Sequence, residues 1–423
     1  MLMFREVYRK LSEDQPLRVV FLNDTGFIGG AGIGHRRQIQ SFLEAGHSVA
    51  AVCWLENPAP DPLPPLGKSR IGRWLGMYSM PNCNSAHGKS NSDITAEVVQ
   101  KISSLSPDLV IVGNLHWAGW PLDIFEKLRA VNVPAISYLH DCHWLTGRCA
   151  YTGDCKKYLT RCDASCPTPT EYPPLDPSRI ELAWESRRNV FVGNNAVPLF
   201  TNSKWMTDTT TSAFHGLANV KLSPLGLDTT LFSPINRALA RRLLRLPEQG
   251  LLVVAGAVDL REPRKGGPLL ESVIDNIHRQ TSARVVTFGA RSEQFRDVIS
   301  LGVIQDERMM PLIYSAVDVM IHTAHEESFG QTLMEASACG IPVVSMAAGG
   351  MVDIAQHERN AITVPRDEPA AYFEAVKRLL DSDDLRTRLG AAGRFLVDEK
   401  YSTSAQYALW KRNLMELYDE SLA

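Results

Sequence analysis

The chain has 423 residues, 44% of them hydrophobic and 22% charged, and a formal net charge of −3. That balance is ordinary for a globular protein and excludes a broad, basic nucleic-acid-binding surface, while the length calls for two domains rather than one core. The first twenty residues carry charges every few positions without an apolar stretch, and no apolar run approaches the ~18–20 residues that cross a bilayer, so the expectation is a cytoplasmic protein with at most peripheral contact to the inner face of a membrane.

PLRVVFLND reads as a buried parallel strand, followed by a glycine-rich turn from Gly26 to Gly34. HRRQIQSFLEAG has helical spacing with Gly46 as its stop, and HSVAAVCW resumes strand character. Residues 57–92 are rich in proline and glycine and then basic-aromatic, which reads as an insertion. Its run KSRIGRWLGMY could lay Ile71, Trp74 and Leu75 on a membrane with Lys68, Arg70 and Arg73 near headgroups; an exposed loop is the plainer reading. Helix and strand patterns alternate again through DLVIVGNLHW and PAISYLHD, before a Cys-rich loop at 142–174 and the segment NAVPLFTNSKW. A second series follows, with GLLVVAGAVDL, SARVVTFGA, DVMIHTA and IPVVSMA as strands separated by helical stretches. This alternation predicts a doubly wound parallel sheet in each half: an N-terminal domain at 1–232, a C-terminal domain at 233–400 and a terminal helix at 401–423. Ligands of such sheets lie at the carboxyl ends of strands, so two such domains are expected to hold a ligand in the cleft between them.

The glycines at 26, 29, 30, 32 and 34 do not fit G-x-G-x-x-G, leaving an anion-binding turn or a purely structural one. Arg264 and Lys265 stand on a loop entering a helix, where a diphosphate needs cations, although a solvated pair would look the same. DSDD at 381–384 reads as helix N-caps rather than a metal motif. Cys149, Cys155, Cys162 and Cys166 match no standard zinc spacing; a structural zinc and free thiols both stay open. His116 and His140 each follow an apolar run, which puts both at strand ends. Glu327 and Glu335 have seven residues between them, in HEESFGQTLMEASACG. A helix beginning near Gly330 would aim the amides of Gly330, Gln331 and Thr332 at an anion, with Glu335 one side of it and Glu327 the other. The two carboxylates would then hold opposite ends of one nucleotide-sugar rather than flank a single bond.

E-S-F-G-x4-E, followed by A-x-A-C-G-x-P-V-V and a Gly-Gly turn, resembles the E-x7-E signature of the retaining GT-B glycosyltransferases of family 4. GGAGIGHRRQIQSFLEAGHSV, TNSKWMTD, SPLGLDTTLFSP and RKGGPLL resemble other segments of that family, and the Cys-rich loop resembles a bacterial subgroup of exopolysaccharide and O-antigen assembly. The resemblance implies two Rossmann-like domains facing across a cleft, with a terminal helix crossing back to the first. It implies that Lys265, with Arg264 or Arg261, neutralises the leaving diphosphate, that Glu335 binds ribose and that Glu327 contacts the donor sugar. Gly330, Gln331 and Thr332 would cradle the phosphates, Phe329 would belong to the donor-binding set, Val303 and Ile304 would line the base pocket, and Gly30 would approach from the first domain. His140 would stand by the anomeric centre, so His140, Glu327 and Lys265 form the implied catalytic set, with His116 and Asp141 on the acceptor side. Leu260 replaces the family's usual arginine, and Leu225 its linker asparagine. The expected activity is metal-independent transfer, without a cofactor, from a nucleoside-diphosphate sugar to a glycan or lipid-linked glycan. An epimerase or hydrolase on the same fold, and a non-catalytic nucleotide-sugar-binding subunit, are the alternatives.

Overall fold

The structure, a computed structural model, describes residues 2–54, 72–83, 89–366, 368 and 370–419. It divides into two units, Met1–Gly226 with Thr403–Ala423, and Leu227–Ser402. The first holds a seven-stranded sheet of β1 (Arg18–Leu22), β2 (Ser48–Cys53), β3 (Arg73–Ser79), β4 (Leu109–Val112), β5 (Ala135–Leu139), β6 (Leu199–Thr201) and β7 (Val220–Leu222). Its order is β3-β2-β1-β4-β5-β6-β7, with every pairing parallel. LVIV, and RVVFL after its exposed Arg18, are apolar because a parallel sheet is covered on both faces.

The stretch 57–92 needs a correction. Residues 55–71 and 84–88, including Lys68, Arg70 and Ile71, lie outside the described residues. Trp74 and Leu75, however, belong to β3, which pairs parallel to β2, and Leu75 and Tyr78 pack against the core. Gly76, at φ +112°, breaks the strand pattern and hides it from a periodicity reading. The terminal helix Thr403–Asp419 belongs to this first unit, where Trp410 stacks on Phe200 with ring centroids 4.8 Å apart.

The second unit has a six-stranded sheet of β8 (Leu252–Asp259), β9 (Arg284–Ala290), β10 (Ile299–Ser300), β11 (Val319–His322), β12 (Val343–Ala347) and β13 (Ala361–Pro365). All pairs are parallel, in the order β10-β9-β8-β11-β12-β13. In each sheet the chain works outward in one direction, then returns to start beside its first strand. The reversals fall between β1 and β4 and between β8 and β11, and it is outside the carboxyl ends at such a reversal that open α/β sheets bind ligands.

Candidate functional site

At the β8/β11 reversal, the loop after β8 and the loop after β11 are bound together. The Thr323 hydroxyl donates to the Lys265 carbonyl at 2.9 Å, and the His325 amide donates to the Arg264 carbonyl at 2.8 Å. This close approach requires Gly266, at φ +73°, because a Cβ there would lie 2.1 Å from the Thr323 carbonyl oxygen. The strapping brings two cations onto one carboxylate: Lys265 pairs with Glu327 Oε1, and Arg264 Nη1 lies 3.0 Å from Oε2. Burial alone would raise the Glu327 carboxyl, but Lys265 and Arg264 outweigh it and hold its pKa at about 2. The Glu327 carbonyl accepts the Gly350 amide at 2.8 Å, so the Gly-Gly turn fixes its backbone.

Gly330, at φ +98°, then caps the helix Gln331–Ala338, whose first residues Gln331 and Thr332 are half-buried at its amino end. Glu335 is buried one turn on, where it accepts the Tyr314 hydroxyl at 2.8 Å. Val303 is 63% exposed, and Ile304 half-buried, on the segment that follows β10. Phe329 is buried against Tyr401, ring centroids 5.8 Å apart. Arg261 stands in the loop after β8. Its guanidinium lies over Phe295 at 4.2 Å and reaches Glu271 and the Gln294 carbonyl, which leaves Arg264 as the arginine beside Lys265. His322 joins the cluster unforeseen, its Nε2 4.0 Å from Glu327 and its pKa pushed down to about 4 by burial. It ends an apolar run, the same signal that singled out His116 and His140.

In the first unit, Gly30 lies exposed in the first turn of the helix Gly29–Glu44. Gly32 is needed where the turn folds over that helix, since a Cβ would stand 2.5 Å from the Gly26 carbonyl oxygen. At the β1/β4 reversal, Asn23 and Asp24 meet Asn114 and His116. The Asn114 amide donates to Asn23 Oδ1, and the Trp117 amide to Asp24 Oδ2. Asp141, at the end of β5, accepts Asn114 Nδ2 at 2.9 Å and lies 3.9 Å from His116 Nε2. Burial raises the Asp24 carboxyl and lowers the His116 imidazole. The His116 ring lies 4.3 Å from that of His143, whose Nε2 meets Arg187 at 2.8 Å. Asp24, His143 and Arg187 carried no sequence signal, since the topology alone unites them. His140 is buried beside the helix Gly29–Glu44, where its Nε2 lies 3.3 Å from His35 Nδ1.

Cys149, Cys155, Cys162 and Cys166 are the candidates for a structural zinc or for free thiols. All four are free thiols, and among the described residues no group of three or more His, Cys, Asp or Glu is arranged to hold a metal. Burial raises the Cys149 thiol to about 11, and the buried guanidiniums of Arg148 and Arg187 stand in the same loop region. Arg148 pins the loop through the carbonyls of Glu171 and Pro173.

Residues 249–382 match the family described as Glycosyl transferases group 1. The D-inositol 3-phosphate glycosyltransferase of Salinispora arenicola is 29% identical over 226 residues, 47% of this chain and 49% of that protein. The enzyme of the same name from Xylanimonas cellulosilytica is 30% identical over 200 residues, covering 42% and 47%. The chain thus spans about half the length of the curated relatives it matches. Among solved structures, the sucrose-phosphate synthase of Thermosynechococcus elongatus superposes with TM-score 0.69 at 18% identity, covering 96% of this chain and all of that one. The Anabaena protein Alr3699/HepE, solved with UDP-glucose, gives TM-score 0.66 at 16% identity, with coverage of 96% and 100%. At such identities the likeness speaks for the fold: two Rossmann-like parallel α/β units of the GT-B architecture. Among the described residues no helix is long and apolar enough to cross a membrane.

Proposed function

We propose that this chain is a retaining glycosyltransferase. It moves a sugar from a nucleoside-diphosphate sugar to a hydroxyl of a glycan or lipid-linked glycan, without a catalytic metal, in surface polysaccharide assembly at the cytoplasmic face of a membrane. The observation that carries the reading is the Arg264–Lys265 pair held by buried Glu327 beside the amino end of the helix Gln331–Ala338. Two cations and a helix terminus converge where a leaving diphosphate gains charge, and fixed charges of this kind need no reorganisation as the bond breaks. The Anabaena neighbour's complex with UDP-glucose and the names of the curated relatives support a nucleotide-sugar donor and a transfer reaction. The surface-polysaccharide role rests on the resemblance of the loop 142–174.

In this reading the bond from the anomeric carbon to the diphosphate oxygen breaks and the electron pair leaves with the diphosphate. The acceptor hydroxyl adds to the same face, and its proton passes to the leaving phosphate oxygen. Lys265 and Arg264 neutralise the diphosphate, and Gln331 and Thr332 contribute amides from the helix start. Glu335 takes the ribose, Val303 and Ile304 the base, and Glu327 the sugar side. Gly30 approaches the donor from the first unit, with His140 beside the anomeric centre. His116 and Asp141, joined by Asp24, form the acceptor side.

The test is a thermal-shift panel of nucleoside mono- and diphosphates and their sugars, followed by transfer assays with and without EDTA. A diphosphate should stabilise the protein more than the matching monophosphate, and transfer should survive EDTA. Stabilisation by no member of the panel would sink the reading.

A further inference from the structure

The proposed chemistry leaves His35 unused, although it is 2% exposed and touches His140. From the geometry we infer that His35 is a positioning residue: it donates Nδ1–H to His140 Nε2 and so locks His140 as the Nδ1–H tautomer. The deepening rests on the glycosyl-transfer reading only for its consequence, not for the tautomer itself.

A neutral imidazole carries one N–H and one bare nitrogen, so the contact of 3.3 Å between His35 Nδ1 and His140 Nε2 allows two arrangements. Burial disfavours the charged form of both rings, taking His140 to about 3 and His35 well below its ordinary value. The other nitrogen of His35, Nε2, is buried and meets no hydrogen-bond partner among the described residues. If His35 accepted at Nδ1, its proton would sit on Nε2 as an orphan buried N–H. If His35 donates, Nε2 is only a bare lone pair, and orphan acceptors are tolerated better than orphan donors. The second arrangement therefore holds. The lone pair of His140 Nε2 is occupied by His35, and Nδ1 carries the proton, so neither nitrogen of His140 is free to accept one. His140 is confined to donating a hydrogen bond and cannot act as a general base, which leaves the acceptor's proton to the leaving phosphate.

The sequence supports the device. His35 lies in the second turn of the helix Gly29–Glu44, and Gly34 beside it packs close to Leu225, where a Cβ would stand 3.0 Å away, with the His140 ring at ordinary contact distance of 3.6 Å.

Imidazole nitrogen NMR of the [15N]histidine-labelled protein reads the tautomer directly, with the His140 signals assigned by their loss in His140→Ala. The expected spectrum has an N–H signal at Nδ1 and a bare, hydrogen-bonded nitrogen at Nε2. A protonated Nε2 overturns the proposal whatever the activity. His35→Leu should yield mixed tautomers of His140 and lower turnover about tenfold with donor KM unchanged, while His35→Asn, which keeps an N–H near the Nδ1 position, should restore both. A single Nδ1–H signal in His35→Leu would also overturn it. If His140→Ala transfers sugar at the wild-type rate, the transfer role of His140 fails, and the spectra alone then judge the tautomer.

Discussion

Glu327 is a carboxylate with two cationic partners, and that arrangement makes the three residues inseparable at the energetic level. Its side chain is 13% exposed and that of Lys265 12%, so water does little to screen either charge. Removing one member of a buried pair leaves the other uncompensated, at a cost of about 3–5 kcal/mol, whereas replacing both is far less damaging. Lys265→Ala should therefore lower stability and abolish the response to nucleoside diphosphates together. Adding Glu327→Gln should recover much of the lost Tm but none of the transfer. Arg261→Ala, by contrast, should cost less than threefold in donor affinity, because its guanidinium is spent on Phe295 and Glu271. Calorimetric melting and donor titration on the same variants check both halves. Recovery of transfer in the double variant would show that the cations do not serve the leaving group.

The elements around this cluster are short loops whose geometry depends on single glycines, and their place at strand ends was legible in the residue order alone. The strand–loop–helix–strand sequence from DVMIHTA to IPVVSMA predicts the helix Gln331–Ala338 and its Gly330 start, and those are found. What the order could not disclose is which loops touch, because the Lys265–Glu327 contact spans 62 residues and follows from the parallel pairing of β8 with β11. The same holds for Asp24, His143 and Arg187, and for His35 against His140. Strand β3 escaped notice for a local reason, Gly76 interrupting the pattern, and the cysteine spacing left zinc and free thiols open because the two differ only in three dimensions. The Gly-Gly turn gives this scale its test. Gly349 has φ +56°, and a Cβ there would stand 2.2 Å from the Glu327 carbonyl oxygen. Gly349→Ala should strain the turn by about 1–3 kcal/mol and push Glu327 off its cations. Donor affinity should fall at least tenfold, while Gly250→Ala, also at positive φ but with nothing near its Cβ, should lose stability alone.

At the scale of the whole molecule, the buried histidines make stability depend steeply on pH, and unevenly between the two units. His35, His47, His116, His140 and His143 of the first unit all have pKa values lowered by burial, to about 4 for His47 and about 3 for His140. The direction follows from proton counting. In the unfolded chain an imidazole binds a proton near pH 6.5, while in the folded unit it does not until far lower pH. Between those values the unfolded state holds more protons, so stability falls as pH falls. A histidine kept neutral costs on the order of 2 kcal/mol by pH 5, against a total that is commonly about 5–15 kcal/mol. Asp24, raised by burial, acts in the opposite sense, but it is one carboxyl against five imidazoles. The second unit shows two histidines with lowered values, His322 and His325, and the stability that Glu327 contributes persists above pH 4.5, to be lost only as pH falls toward about 2. Calorimetry from pH 7.5 to 5 should thus resolve a first-unit transition that moves down by well over 5 °C, ahead of the second-unit transition. His47 accepts the Leu17 amide through Nδ1 and meets the Tyr407 hydroxyl through Nε2, tying the terminal helix to the start of β1. His47→Gln should lower Tm at pH 7.5 yet flatten its fall by about one proton's worth of slope. Equal slopes in the two proteins, or a first-unit transition indifferent to pH, would mean that these imidazoles are not held neutral by burial.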